Sequence, residues 1–255
     1  MLKLAATVAI ATAILSGAAI AQPVKPTIIL VHGAFADSSS WNGVITHLQK
    51  EGYKAVAVAN PLRSVANDAR LVSDVVGNIK GPVVLVGHSY GGQVITNAAK
   101  GHDNVKSLVY VAAFAPDAGE AAAELAGKFP GGTLGDALAA PVKLTDGGVD
   151  LYIDQTKFRA QFAHDVPSEV SALMAVGQRP ITEAALTDKS GEPAWKTLPS
   201  YFVYGDSDKN IPAKALGFMA ERAGSKRTVV VEGASHVVMV SHPKVVTYLI
   251  EEAAK

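Results

Sequence analysis

Cysteine is absent from all 255 residues. That excludes disulfides, thiolate metal sites, a cysteine nucleophile and a lipobox-type lipid anchor, and it leaves the redox compartment unmarked. Charge is scarce as well: Asp, Glu, Lys and Arg make up 18% of the chain and the formal net charge is zero. Loss of an N-terminal leader carrying Lys3 would leave the basic side chains one fewer than the acidic ones. No strong field of either sign follows, which argues against nucleic acid or an anionic membrane surface as a partner. No internal repeat is visible, and after the first residues no stretch is long and apolar enough to span a bilayer.

What is present begins with a leader pattern. Lys3 is the one early charge, Leu4 to Ala21 are apolar or small, and the segment ends in Ala19-Ile20-Ala21. A short basic start, an apolar run and an A-x-A site read as a signal peptide over residues 1–21, with Gln22 beginning the mature chain. Export to the periplasm or beyond is the expectation, with no stable membrane association after cleavage.

The whole sequence is 49% hydrophobic, enough for a large core. Short β-branched runs recur at Thr27–Val31, Lys54–Ala59, Val83–Gly87, Ser107–Ala112, Ser200–Tyr204 and Thr228–Glu232. They are almost continuously apolar, as strands of a parallel sheet covered on both faces should be. Helical spacing fills most intervals. Val44, Ile45 and Leu48 share one face, as do Val65, Ala69, Val72, Val76 and Ile79, and likewise Leu216, Met219 and Ala220. In the last helix Val245, Tyr248 and Leu249 are expected to face inward. Strand alternating with helix predicts a mainly parallel, doubly wound α/β sheet of about six strands.

One interval departs from this rhythm. About 85 residues, 115–199, separate two strands, far more than a crossover helix requires. The segment reads as short helices, Ala118–Lys128, Lys157–Ala163, Ser168–Gln178 and Thr182–Asp188, with a Pro130-Gly131-Gly132 turn. A helical cap inserted at 115–199 into a core of residues 22–114 and 200–255 is the expected organisation.

The chemistry gathers at the ends of the strands. Gly87-His88-Ser89-Tyr90-Gly91 follows the buried run Val83–Val86 and opens a helical stretch. This is G-x-S-x-G in a strand–turn–helix setting, which lifts a strained serine hydroxyl above the sheet. A Cβ on Gly87 or Gly91 would clash with neighbouring backbone. A serine hydroxyl needs a base to act as nucleophile. His236, just past the last strand, sits where that base should be, and the expected chain order is serine, acid, histidine. Two acids follow the strand Ser200–Tyr204: Asp208, favoured by its longer reach and by the Ile211-Pro212 after it, and Asp206. The second could instead bond the amides of its own turn. Acyl transfer also needs two N–H groups aimed at the developing oxyanion. Tyr90 and, in the loop Val31-His32-Gly33-Ala34-Phe35 after the first strand, Ala34 are the candidates, with Gly33 letting backbone approach the substrate. Phe35, Val237 and Met239 flank these positions and are candidate pocket residues.

Taken together, VHGAFADSSSW, NPL, GHSYGG, the GDSD turn and GASHVVMVSHP resemble the α/β-hydrolase superfamily, specifically a bacterial esterase-like branch similar to plant methylesterases and hydroxynitrile lyases. The resemblance covers essentially everything after the leader. It implies the ancestral eight-stranded sheet without its first antiparallel strands, and a helical cap over the pocket. It favours Asp208 as the acid and Ala34 and Tyr90 as oxyanion donors. Lyase members carry lysine directly after the catalytic histidine; Val237 stands there in this chain, against cyanohydrin cleavage. Relatives with an aspartate nucleophile are set aside by Ser89.

The expectation is therefore a serine carboxylesterase acting on a small, uncharged ester or lactone, with no metal or organic cofactor. No cluster of basic residues in the cap calls for a phosphate or polycarboxylate. The competing readings are a ligand-binding sensor that keeps the triad as a relic, and a C–C bond hydrolase or lyase.

Overall fold

The computed structural model describes residues 24–255. The leader read at 1–21 lies outside the described residues. The main sheet has six strands: β1 (Thr27–Val31), β2 (Ala55–Val58), β3 (Val83–His88), β4 (Val105–Val111), β8 (Ser200–Gly205) and β9 (Arg227–Val231). Their order is β2-β1-β3-β4-β8-β9, and every pairing is parallel. Each carboxyl end therefore emerges at the same edge.

The four inner strands are apolar for the reason the sequence suggests. β1, β3, β4 and β8 are almost wholly buried. The flanking strands β2 and β9 are not: Val56 is 38% exposed and Val230 51%. An edge strand has helices over less of its surface, so its valines reflect strand propensity rather than burial on both faces.

The helices α1 (Asn42–Lys50), α2 (Val65–Gly77), α3 (Tyr90–Ala98), α9 (Ala213–Arg222), the short α10 (Val238–Ser241) and α11 (Pro243–Ala253) flank this sheet. α1 packs on α11, and α2 on α3. Ser64 caps α2 by accepting from the Asn67 amide, which satisfies one of the free N–H groups of its first turn. In α11 the buried residues are Val246, Thr247, Leu249, Ile250 and Ala253. Tyr248, expected inside, is 69% exposed. Pro243 sets the start of α11, and the stripe is rotated by one residue from the expected one.

Residues 115–199 carry α4 (Ala122–Gly127), α5 (Leu134–Ala137), α6 (Gln155–Phe162), α7 (Ser168–Gly177) and α8 (Glu183–Thr187). They also hold a small antiparallel sheet, β5 (Val142–Lys143), β6 (Val149–Leu151) and β7 (Ile181–Thr182), which the purely helical reading missed. Its hairpin turns at Thr145-Asp146-Gly147-Gly148, with Gly147 at φ 88° and Leu144 accepting from Gly147 N and donating to Gly148 O. Asp-Gly between apolar runs is a hairpin signal in its own right.

One of the ties between this segment and the main sheet's surroundings runs through Leu62 and Arg63. Leu62, at φ 61°, turns the chain so that its carbonyl accepts from Thr182 N, while the Arg63 carbonyl accepts from Thr182 Oγ1. Arg63 Nη1 reaches Asp150 Oδ1 at 2.6 Å and Nη2 donates to the Pro180 carbonyl. Asp188 closes the other end by accepting from Val65 N.

Candidate active site

Ser89 stands between β3 and α3 with φ 53° and ψ −124°. A non-glycine residue is seldom held there, and the surroundings fix it. Its amide donates to Val111 O, and its carbonyl accepts from Gly92 N and Phe114 N. A Cβ on Gly87 would lie 2.5 Å from Gly91 O, and one on Gly91 would lie 2.3 Å from Val31 O. Both contacts are too short to exist, so a sharp turn this close to β1 and α3 requires glycine.

The loop after β1 rests on that turn. A Cβ on Gly33 would come within 2.6 Å of Ser89 Cβ and 2.7 Å of His88 O. The close approach at Gly33 is thus to the serine turn itself, where the sequence suggested the substrate. The amides of Ala34 and Tyr90 have no acceptor among the described residues, and both residues line one cavity with Ser89. The next amide is spent: Phe35, at φ 60°, donates to Arg179 O at 2.9 Å. The Tyr90 hydroxyl points elsewhere, to Asp68 Oδ2 at 3.0 Å. Burial, reinforced by that carboxylate, raises the phenol well above its usual range.

His32 holds the loop from below. Asn60 N–H can only donate, so His32 Nε2, 3.1 Å away, is the bare nitrogen. The proton is then on Nδ1, which donates to Gly33 O at 2.9 Å. Burial lowers the pKa of this ring to about 4, so it is neutral over the physiological range.

His236 is 1% exposed, and its Nδ1 is 2.6 Å from Asp208 Oδ2. The other oxygen of Asp208 accepts from the amides of Asn210 (2.7 Å) and Ile211 (3.0 Å). Three donors converge on this one carboxylate. Asp206 does something different: its Oδ1 accepts from Gly233 N and Ser207 Oγ, joining two turns. The geometry separates the two acids that the sequence left as candidates.

Around the imidazole lie Phe162, with ring centroids 5.1 Å apart, and His88 at 4.8 Å. His88 donates from Nε2 to the His236 carbonyl at 3.1 Å. Burial, and then the neighbouring His236 ring, hold His88 well below the ordinary histidine range.

Ser89 and His236 line the same cavity of about 240 Å³, with Ala34, Phe35, Phe114, Leu134, Leu138, Leu186 and Ile211 among its walls. Of the three expected pocket residues it takes only Phe35. Val237 and Met239 are fully buried and line no part of it. Adjacency to His236 in sequence misled here, because the chain turns inward immediately after that residue. The walls contributed by residues 115–199, and Phe162, carry no marker in the sequence beyond being apolar. Among the described residues no group of three or more His, Asp or Glu side chains is placed to hold a metal ion.

A parallel sheet with a strained serine after its third strand and an acid–histidine pair after its last two defines the serine-turn class of doubly wound α/β proteins. Residues 28–247 match the alpha/beta hydrolase family model, and the chain belongs to that family. It is 28% identical over 251 residues to the alpha/beta hydrolase nvfD of Aspergillus novofumigatus, covering 90% of this chain and 97% of that protein. It is 26% identical over 243 residues to the pimeloyl-[acyl-carrier protein] methyl ester esterase of Aeromonas hydrophila, covering 89% and 94%. The crystal structure of polyneuridine aldehyde esterase superposes with a TM-score of 0.78 at 17% identity, covering 91% of this chain and all of that one. The fold is thus the one plant methylesterases share, as with the methylesterase MES16 from Arabidopsis at a TM-score of 0.72 and 21% identity, covering 89% and 98%.

Proposed function

We propose that this chain is a carboxylic ester hydrolase that forms an acyl-enzyme on Ser89. One observation carries the reading: Ser89, two unengaged amides and an Asp208-held His236 border a single cavity. Relatives named as esterases support the reaction class.

Each residue then has a defined task. Ser89 Oγ attacks the ester carbonyl carbon as its proton passes to His236 Nε2. Asp208 keeps the other ring proton on Nδ1 and stabilises the imidazolium. The amides of Ala34 and Tyr90 receive the oxyanion; losing one such donor costs roughly 100- to 1,000-fold in turnover. The intermediate collapses, His236 returns the proton to the departing alcohol, and the acyl group stays on Ser89. Water then attacks the acyl carbon, gives a proton to His236, and Ser89 leaves with it.

The walls favour a small, uncharged substrate. No Lys or Arg lines the cavity, and a buried carboxylate or phosphate without a partner is costly. The cap at 115–199 and export directed by a leader at 1–21 belong to the same proposal. N-terminal sequencing of the mature protein tests the leader, with Gln22 expected first.

Turnover of short p-nitrophenyl esters, fluorophosphonate labelling at Ser89, and loss of both in Ser89→Ala are the expected results. A protein that binds esters, turns none over and resists the label would be a sensor. Cleavage of β-diketones or cyanohydrins in preference to esters would instead mark a C–C bond enzyme.

A further inference from the structure

Four polar residues line the cavity: Ser89, His236, Tyr90 and Asn210. The first two have tasks, and the Tyr90 hydroxyl is committed to Asp68. Asn210 is 5% exposed, in surroundings otherwise made of Ala, Leu, Ile and Phe. Burying an amide there is costly unless its donors find acceptors.

The orientation of the amide follows from partners that permit one assignment. The Lys209 carbonyl can only accept, so the Gln161 atom 2.9 Å from it is Nε2. Gln161 is held the same way round by Thr133 Oγ1, which donates to its Oε1. The same Nε2 donates to Asn210 across 2.8 Å, so the receiving atom is Oδ1. The Nδ2 of Asn210 then has two N–H groups and no acceptor among the described residues. Its backbone cannot drift, because Asn210 N donates to Asp208 Oδ1 at 2.7 Å. A fixed donor therefore sits at the wall of an apolar cavity, two residues from the acid.

We propose that Asn210 determines specificity by donating from Nδ2 to a second, neutral oxygen of the substrate, a few atoms from the scissile carbonyl. The esters this cavity selects carry a ketone, hydroxyl or ether oxygen beside the ester group. The part of the proposal that concerns esters rests on the hydrolase reading above; the donor itself does not. A pocket that merely fits apolar groups discriminates weakly, whereas one built around a hydrogen bond strongly rejects an analogue lacking the partner atom.

The test uses methyl hexanoate and its 3-oxo, 4-oxo and 5-oxo derivatives. Affinities are measured by calorimetry on Ser89→Ala protein, and kcat/KM on the unmodified enzyme. At least one oxo ester is expected to bind about tenfold or more tightly than methyl hexanoate and to lead in kcat/KM by a similar factor. Asn210→Leu, made in both backgrounds, is expected to erase that ratio. If Asn210→Leu does not fold, Asn210→Asp keeps the acceptor for Gln161, removes the Nδ2 donors and serves the same comparison. Equal affinity for all four esters overturns the proposal, as does a preference that persists without the Nδ2 donors. Selective binding without turnover of any ester leaves the donor standing and removes the hydrolase reading. Turnover without selectivity does the reverse.

Discussion

His88 Nε2 donates to the backbone carbonyl of His236 across 3.1 Å, so the residue before the serine fixes the residue that would activate it. The two rings lie with centroids 4.8 Å apart, and His88 is fully buried. Replacing His88 by Leu leaves the His236 carbonyl without its donor, a loss of about 1–3 kcal/mol in a buried site. The variant is expected to melt several degrees lower and to lose kcat with little change in KM. His88→Gln restores a donor and should recover part of kcat. A His88→Leu enzyme with normal kcat would remove His88 from any positioning role.

Asp208 and Asp206 invite a direct comparison. Asp208→Asn places an amide against His236 Nδ1 and favours the wrong tautomer, with an expected fall in kcat on the order of 10,000-fold. Asp206→Asn weakens the bond to Gly233 N, worth about 1 kcal/mol, and should lower Tm by about 2–4 °C with kcat nearly intact. Steady-state kinetics and a melting curve on both variants decide it; the opposite ranking would transfer the acid's role to Asp206.

Much of this arrangement is legible before any coordinates. Parallel strands covered on both faces leave runs such as Val83–Val86, and a strained serine needs glycines at positions where an added Cβ would lie 2.5 Å or less from backbone. Such constraints act through residue type at fixed spacing, which sequence displays. The walls of the cavity act through shape. Leu134, Leu138 and Leu186 are interchangeable with core leucines until residues 115–199 are folded. Tyr248 shows the same limit: an aromatic at helical spacing reads as core, while the last helix turns Val246, Thr247, Leu249, Ile250 and Ala253 inward instead. Asn210 was invisible because its significance lies in Gln161, 49 positions away.

Acid should weaken the fold in a defined window. His32 has a folded pKa of about 4 against an ordinary 6.5. Above pH 6.5 neither state holds the proton. Between there and about pH 4 the unfolded chain binds a proton that the folded chain refuses, so stability falls as pH falls. Below that both are protonated and this group causes no further loss. The full effect is on the order of 3 kcal/mol, and His88, depressed in the same direction, adds to it. Urea unfolding between pH 7.5 and 4.5 should show the decline, and His32→Gln should flatten it. An identical slope in that variant would assign the loss to other groups.

Arg63 forms one tie between residues 115–199 and the rest of the fold; its side chain is 35% exposed while Asp150 is 10% exposed. Partial exposure keeps the ion pair modest, and the bond to Pro180 O adds to it. Arg63→Ala is expected to cost about 1–2 kcal/mol. The loss should be local: faster amide exchange in residues 149–151 and 181–182, with β3 and β4 unchanged. Uniform acceleration across the main sheet would mean that Arg63 supports the whole fold instead.

Phe35 lines both the cavity at Ser89 and a second one of about 320 Å³, which also takes Asp37, Asn42, Leu173, Met174 and Gln178. The ring lies edge-on to Phe162 with centroids 6.2 Å apart and is 2% exposed. Its removal would join the two spaces, so Phe35→Ala is expected to move the optimum of an ester chain-length series to longer substrates. Truncation of a buried phenylalanine costs about 3–5 kcal/mol, toward the lower figure where cavities already flank it. Phe35→Gly opens the same passage and also relieves the backbone strain at φ 60°, by about 1–2 kcal/mol. That relief exceeds the roughly 0.4–1 kcal/mol that glycine costs through added freedom in the unfolded chain, so Phe35→Gly should share the shifted optimum and exceed Phe35→Ala in Tm. The optimum is the decisive reading: if both variants keep the parent's preferred chain length while remaining folded, the second cavity is closed off by something other than this ring.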